Sequence, residues 1–300
     1  MTADRSTTGQ GECEVAFDGF SRRDVPVSGS SMHIVEAGTG QPVVFLHGNP
    51  TSSYLWRHVL PPLSQTGRRL IAVDLIGMGR SGKPAIEYTL RDHVDYLTAL
   101  LDTLGLTDIV FVAHDWGTAI CLEYLRRRPD RVRAVAFMEG HVRPLDGWAD
   151  IDPVFQRLRT AGEGERLALE ENFLIETLLP AGVRGALAPG DLEVYRRPYP
   201  DPASRRPLLQ WTRQIPVAGQ PADAARILEQ AWAHFAASPR PKLLVRGRPG
   251  AVIGTEAVAW CRRTAPDLRV ADIGAAGHFL PEDQPVRLAQ ALTAWLDVLE

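Results

Sequence analysis

Asp115 sits at the centre of Ala113-His114-Asp115-Trp116-Gly117, between the apolar run Ile109-Val110-Phe111-Val112-Ala113 and a stretch of helical periodicity over 117–127. A strand that turns sharply into a helix needs small residues two positions to either side of the bend, because larger side chains would strike the adjoining backbone. The side chain at the bend then stands clear above the sheet, at a helix N-terminus. A carboxylate placed there can attack carbon, although an Asp at a helix start is also an ordinary cap. Attack would leave an ester bonded to the enzyme, and hydrolysing that ester calls for a general base. Gly277-His278-Phe279 supplies an imidazole just beyond the last strand-like segment. Glu139 follows the apolar Ala136-Phe137-Met138 directly and could orient His278 and steady its charged form. The competing place for an acid lies after Leu243-Leu244-Val245. Arg246-Gly247-Arg248-Pro249-Gly250-Ala251 carries none, and the next acid, Glu256, falls within a helical stretch.

These groups need a scaffold that delivers them to one edge. Two strands are expected near residues 17–27 and 31–36, followed by the unbroken apolar run Pro42-Val43-Val44-Phe45-Leu46. A run without alternation suits a strand buried on both faces. It stops at the turn signal His47-Gly48-Asn49-Pro50, after which Ser53 could cap a helix through Leu55, Val59 and Leu63. Strand and helix signals then alternate: strands over 70–74, 109–113 and 132–138, helices over 90–104 and 117–127. Such alternation predicts an α/β domain with a mostly parallel central sheet and helices on both faces. Between 142 and 241 the strand signal gives way to helical patterns, prolines and aromatics. Alternation resumes with a strand at 243–245, a helix over 256–264, a strand over 268–273 and a final helix over 286–299. The parse is a core of residues 17–141 and 242–300 interrupted by a helical cap, 142–241, with a flexible polar tail, 1–16. In open α/β sheets ligands bind beyond the carboxyl ends of the strands, and the cap leaves the core at such an end, so it should cover the site. The chain order of nucleophile, acid and histidine is that of the α/β-hydrolase fold.

Composition is ordinary: 300 residues, 45% hydrophobic and 23% charged. With 33 basic against 36 acidic residues and no long basic tract, no nucleic-acid partner is expected. The densest cluster, Arg126-Arg127-Arg128, is read as a solvated helix end. Cys13, Cys121 and Cys261 are too dispersed for a metal site or a disulfide framework. The start of the chain lacks the apolar core of a signal peptide, and no apolar stretch is long enough to span a bilayer. A cytoplasmic protein without membrane contact is expected; oligomeric state is left open.

Several motifs together resemble the haloalkane dehalogenases. They are His47-Gly48-Asn49-Pro50-Thr51-Ser52-Ser53-Tyr54-Leu55-Trp56-Arg57, Asp74-Leu75-Ile76-Gly77-Met78-Gly79-Arg80-Ser81, the His114-Asp115-Trp116-Gly117 elbow, and Met138-Glu139. The likeness runs from about residue 17 to 299, cap included. His-Asp-Trp-Gly alone is shared with epoxide hydrolases; the combination is specific. The resemblance implies hydrolysis of haloalkanes to an alcohol, a halide ion and a proton, without metal or organic cofactor. It makes Asp115 the nucleophile, His278 the base and Glu139 its acid partner, the last as in one major subfamily. Trp116 and Asn49 would bind the departing halide, an indole N–H and an amide NH₂ being donors suited to an anion in a dry pocket. Phe155, Phe173, Pro216 and Leu280 match positions lining the family's apolar tunnel, and plain core packing is the alternative for each.

Three other activities use similar parts. An epoxide hydrolase would share Asp115 and His278 and needs two acidic donors, for which Tyr195 and Tyr199 are available; Asn49 argues against it. Coelenterazine luciferases resemble the chain too, including Glu171-Asn172-Phe173-Leu174-Ile175-Glu176-Thr177. A small-molecule receptor could keep the fold without catalysis, against which the intact Asp115, Glu139 and His278 set speaks.

Overall fold

The computed structural model describes residues 17–299; the expected 1–16 tail and Cys13 lie outside them. Eight strands form one sheet in the order β1-β2-β4-β3-β5-β6-β7-β8. They are β1 (Ser21–Val27), β2 (Ser30–Ala37), β3 (Pro42–Leu46), β4 (Arg69–Val73), β5 (Ile109–His114), β6 (Val132–Met138), β7 (Lys242–Pro249) and β8 (Leu268–Ala276). The first two pair antiparallel, and β2 meets β4 antiparallel; from there to β8 every pairing is parallel. Central β5 is buried at all six positions, the property that erases alternation from its sequence. Leu46, Ala113 and Phe137 lie in register across β3, β5 and β6, so the residues after each emerge side by side.

Helix α1 (Leu90–Thr103) begins with a reciprocal Thr89–Asp92 capping box. Helix α2 (Trp116–Arg127) starts one residue after β5 and is buried from Trp116 through Leu125. Its basic end is less solvated than expected. Arg126 and Arg127 both clamp the carboxylate of Glu123, which is only 1% exposed. A buried acid one turn back must be paired, and it draws the two guanidinium groups inward. The helix expected after Ser53 is also different. Ser52 caps a single 3₁₀ turn, Ser53–Trp56, and a separate short helix runs Leu60–Leu63. Pro61 and Pro62 lack amide hydrogens, so they fit only the first turn of a new helix.

Between β6 and β7 lie α3 (Val154–Arg159), α4 (Pro189–Arg196), α5 (Pro202–Gln214) and α6 (Ala222–Ala237), with two π-helical turns at Arg166–Glu170 and Leu174–Leu178. Backbone bonds from Leu145 N to Pro216 O (2.8 Å) and Ala218 N to Leu145 O (2.9 Å) tie the start of the insertion to its later part. Helix α6 comes back to the core, where Trp232 and Phe235 meet Phe137 of β6 edge-on. Helix α7 (Thr255–Thr264) follows β7, and after β8 a single helical turn, Leu280–Asp283, precedes α8 (Pro285–Leu296). Among the described residues, no helix is long and apolar enough to cross a membrane.

A buried ionic cluster fastens the insertion to the core. The Arg57 guanidinium, 3% exposed, donates to both oxygens of Glu282 at 2.6 and 2.8 Å and reaches Asp191 of α4 at 3.0 Å. Tyr195 donates to Glu282 at 2.6 Å, and Tyr54 to Asp191 at 2.8 Å. Removing one member of a buried pair strands the other charge. Arg57→Ala is therefore expected to destabilise the fold by about 3 kcal/mol. Asp191→Asn, at a position a quarter exposed, should cost about 1 kcal/mol or less. Urea denaturation of both variants checks this; equal losses would show that the cluster does not anchor the insertion.

Candidate active site

At the junction of β5 and α2, Asp115 adopts φ 51°, ψ −124°. This strained backbone, which costs roughly 1–3 kcal/mol, swings the carboxylate out over the sheet edge. The close approach excludes larger neighbours. A Cβ on Gly117 would lie 2.6 Å from the Leu46 carbonyl oxygen, and one on Gly48 would lie 2.2 Å from Oδ2 of Asp115 itself. The loop after β3 supplies the first donor: Asn49 N–H bonds Oδ2 at 2.8 Å. His47 holds that loop, with Nδ1–H donating to Gly48 O at 2.9 Å and Nε2 accepting from Leu75 N at 3.0 Å. Burial keeps this imidazole neutral by pushing its pKa down.

His278 follows β8. Its Nδ1 is 3.3 Å from Glu139 Oε2, and its Nε2 is 3.9 Å from Asp115 Oδ1. The first contact fixes the tautomer, with Nδ1–H toward Glu139 and the Nε2 lone pair toward Asp115. The second is too long for a hydrogen bond. The main chain of His278 is held on both sides, by Gly182 O on its N–H (2.9 Å) and by His114 Nε2–H on its carbonyl (2.8 Å). His114 can donate without carrying charge, because burial and the neighbouring His278 push its pKa down to about 4.

Glu139 directly follows β6 with φ 47° and is 1% exposed. The loop after β7, which carries no acid, serves as its cradle. Ala251 N and Val252 N donate to Oε2 at 2.7 Å each, and Ile253 N to Oε1 at 3.2 Å. Burial favours the neutral acid, but the bond to His278, its charge and these N–H groups outweigh it and keep the pKa below the usual value. The balance at His278 runs the other way. Burial alone would lower its pKa; the Glu139 hydrogen bond and the charges of Asp115 and Glu139 raise it above 6.5.

One residue at the site had no signal in the sequence. His141 places Nε2 3.0 Å from Asp115 Oδ1, closer than His278. Burial works against an ionised Asp115, yet its pKa lies well below the ordinary range, chiefly through the His141 hydrogen bond and charge, with His278 and His114 adding to it. The only hint in the chain is Gly140, where a Cβ would fall 2.2 Å from Thr118 Oγ1, so the segment presses against the start of α2.

Trp116 and Asn49, the residues expected to bind halide, lie beside Asp115. Trp116 is 1% exposed, its ring 4.5 Å from that of His141 and stacked 4.7 Å from Trp211 of α5. The Asn49 amide donates to Leu208 O at 3.1 Å and to Thr212 Oγ1 at 3.4 Å, both on α5. Leu280 is fully buried two residues past His278, Pro216 is buried behind the Leu145 bond, and Phe155 and Phe173 are partly buried in the insertion. Both tyrosines that an epoxide hydrolase would need have engaged hydroxyls: Tyr195 donates to Glu282, and Tyr199 meets Gly79 N at 3.3 Å and Met78 Sδ at 3.5 Å.

Comparison with known proteins agrees with this geometry. Residues 41–285 match a family model described as alpha/beta hydrolase fold. A haloalkane dehalogenase of Mesorhizobium japonicum is 44% identical over 92% of this chain and 91% of its own length, and one of Agrobacterium fabrum is 44% identical over 93% and 92%. The crystal structure of the haloalkane dehalogenase DatA from Agrobacterium tumefaciens superposes with a TM-score of 0.90 at 44% identity, covering 95% of this chain and 99% of that one. DbeA from Bradyrhizobium elkani gives 0.90 at 40% identity, covering 93% and 98%. With its eight-stranded sheet, inserted helices and a carboxylate at the elbow, this chain belongs to the haloalkane dehalogenase family of the α/β-hydrolase fold.

Proposed function

We propose that the protein hydrolyses haloalkanes to an alcohol, a halide ion and a proton in two steps through an alkyl ester on Asp115. The observation that carries this reading is an ionised carboxylate at the elbow, faced by an imidazole that Glu139 orients. In the first step an Asp115 oxygen displaces halide in line. Trp116 Nε1–H and the Asn49 amide stabilise the departing anion as its charge grows, which is when an interaction accelerates the reaction. Asn49 must turn one N–H from the cap for this, and its longer bond, to Thr212, is the one exchanged. In the second step His278 takes a proton from water, and the resulting hydroxide attacks the ester carbon. The Asn49 backbone N–H, already on Oδ2, holds the oxyanion together with that of Trp116. Phe155, Phe173, Pro216 and Leu280 are assigned to the apolar approach, and the helices over 142–241 to the lid that keeps it dry. A cytoplasmic location accords with the free thiols of buried Cys121 and Cys261.

The base responds to the chemistry. In the free enzyme the Asp115 charge helps to raise the His278 pKa. Alkylation neutralises Asp115, so that contribution vanishes when a neutral base is needed. Protonated His278 cannot accept a proton, so ester hydrolysis is lost as pH falls through its pKa. The midpoint for single-turnover decay of the alkyl-enzyme is expected below the His278 midpoint found by NMR titration of the free enzyme. A higher midpoint would contradict the assigned roles.

His278→Phe should permit alkylation and block hydrolysis. After mixing with a bromoalkane, mass spectrometry is expected to find the protein heavier by one alkyl group, on Asp115. Absence of the adduct, with wild-type turnover intact, would sink the mechanism. Asn49→Ala keeps the backbone N–H and removes the amide donor, so the rapid-quench halide burst should slow roughly 10²-fold. An unchanged burst would remove Asn49 from the halide site.

A further inference from the structure

Two imidazoles flank one oxygen of the nucleophile. His278 Nε2 lies 3.9 Å from Asp115 Oδ1 and His141 Nε2 lies 3.0 Å from the same atom, while Oδ2 is taken by Asn49 N–H at 2.8 Å. The oxygen outside the oxyanion hole is the one free to attack. It becomes the bridging oxygen of the ester and then, when water attacks the acyl carbon, the oxygen of the departing alcohol. We propose that His141 is a second catalytic histidine, the general acid that protonates Oδ1 of Asp115 as the alcohol leaves; the proposal rests on the two-step reading above.

The geometry divides the labour between the two rings. His278 is backed by Glu139 on Nδ1 and presents Nε2 as a base. His141 is held against the Trp116 ring at 4.5 Å and directs Nε2 at the leaving atom. A carboxylate oxygen accepts along two lone-pair directions, so one N–H donor leaves the other free for in-line attack. His141 also lines a solvent cleft of about 490 Å³ bordered by Asp146, Asp150 and Thr255, which gives the ring a route for proton exchange.

The step balances. His278 takes one proton from water as the water oxygen bonds to Cγ, and the carbonyl electron pair moves to Oδ2. On collapse that pair returns, the Cγ–Oδ1 bond breaks with its electrons on Oδ1, and the Nε2 proton of the His141 imidazolium completes the alcohol. Asp115 is left as a carboxylic acid bearing the second water proton. That proton passes to His141, the proton on His278 goes to solvent, and one proton is released per turnover.

His141→Ala tests this with bromoethane and 1-bromo-2-fluoroethane, whose esters release ethanol and the more acidic 2-fluoroethanol. The halide burst should persist at full amplitude, which also counts folded sites, and alkyl-enzyme should accumulate. Hydrolysis of the ethyl ester is expected to slow roughly 10²-fold. The 2-fluoroethyl ester should slow by a markedly smaller factor, because a better leaving group needs less protonation. Equal slowing of both esters, or a slowed burst without accumulated ester, overturns the proposal. So does full recovery by His141→Gln, which keeps an N–H donor but has no transferable proton. If wild type shows neither burst nor adduct, the Asp115 ester reading fails first, an outcome distinct from normal hydrolysis in His141→Ala.

Discussion

Keeping a charged carboxylate out of water is the constraint around which this molecule is arranged. Asp115 is 3% exposed and ionised, a state that burial alone would forbid. Compensation comes from three separate loops: Asn49 N–H after β3 and His141 after β6 lie within hydrogen-bond reach, and His278 after β8 acts through its charge from 3.9 Å. None of the three can approach unless the backbone gives way. Gly48, Gly117 and Gly140 are therefore parts of the electrostatics as much as of the fold, since a methyl group at any of them would collide with the site or its supports. A similar balance recurs one layer out at Glu139, whose buried charge is met by His278 and three backbone amides.

Much of this was legible in the chain. Short apolar runs bounded by turn residues located β3, β4 and β5, and a similar run broken only by Arg133 located β6, because strands buried on both faces are apolar nearly throughout. Small residues around Asp115, and the positions of Glu139 and His278 after strands, marked the groups that the structure gathers. What escaped has physical reasons. Strand β7 runs on to Pro249 although its apolar run stops at Val245: it pairs there with the edge strand β8, and Arg246 and Arg248 lie near Asp272. The π-helical turns of the insertion have no 3.6-residue period to detect. His141 was invisible because its direction is set by the positive φ of Glu139 and the contact of Gly140 with Thr118, which no hydropathy pattern encodes.

The Asn49 amide is tied to the insertion. Its hydrogens are engaged by Leu208 and Thr212, while Trp116 is packed between His141 and Trp211. An unpartnered amide donor beside Asp115 would be costly, and helix α5 relieves that cost with the Leu208 main-chain carbonyl. Helix α5 thus satisfies the Asn49 amide, and its Trp211 packs against the Trp116 indole on the same side of the site.

The insertion is bonded to the segment that carries His278. Gly182 O accepts from the His278 amide, Asp283 accepts from Arg184 N at 2.8 Å and Gly277 N at 2.7 Å, and Glu282 receives the Tyr195 hydroxyl. Any breathing of residues 182–195 would tug on the imidazole and detune it from Glu139. Pocket shape and the aim of the imidazole are thereby coupled through residues 182–195: the chain cannot remodel one there without disturbing the other.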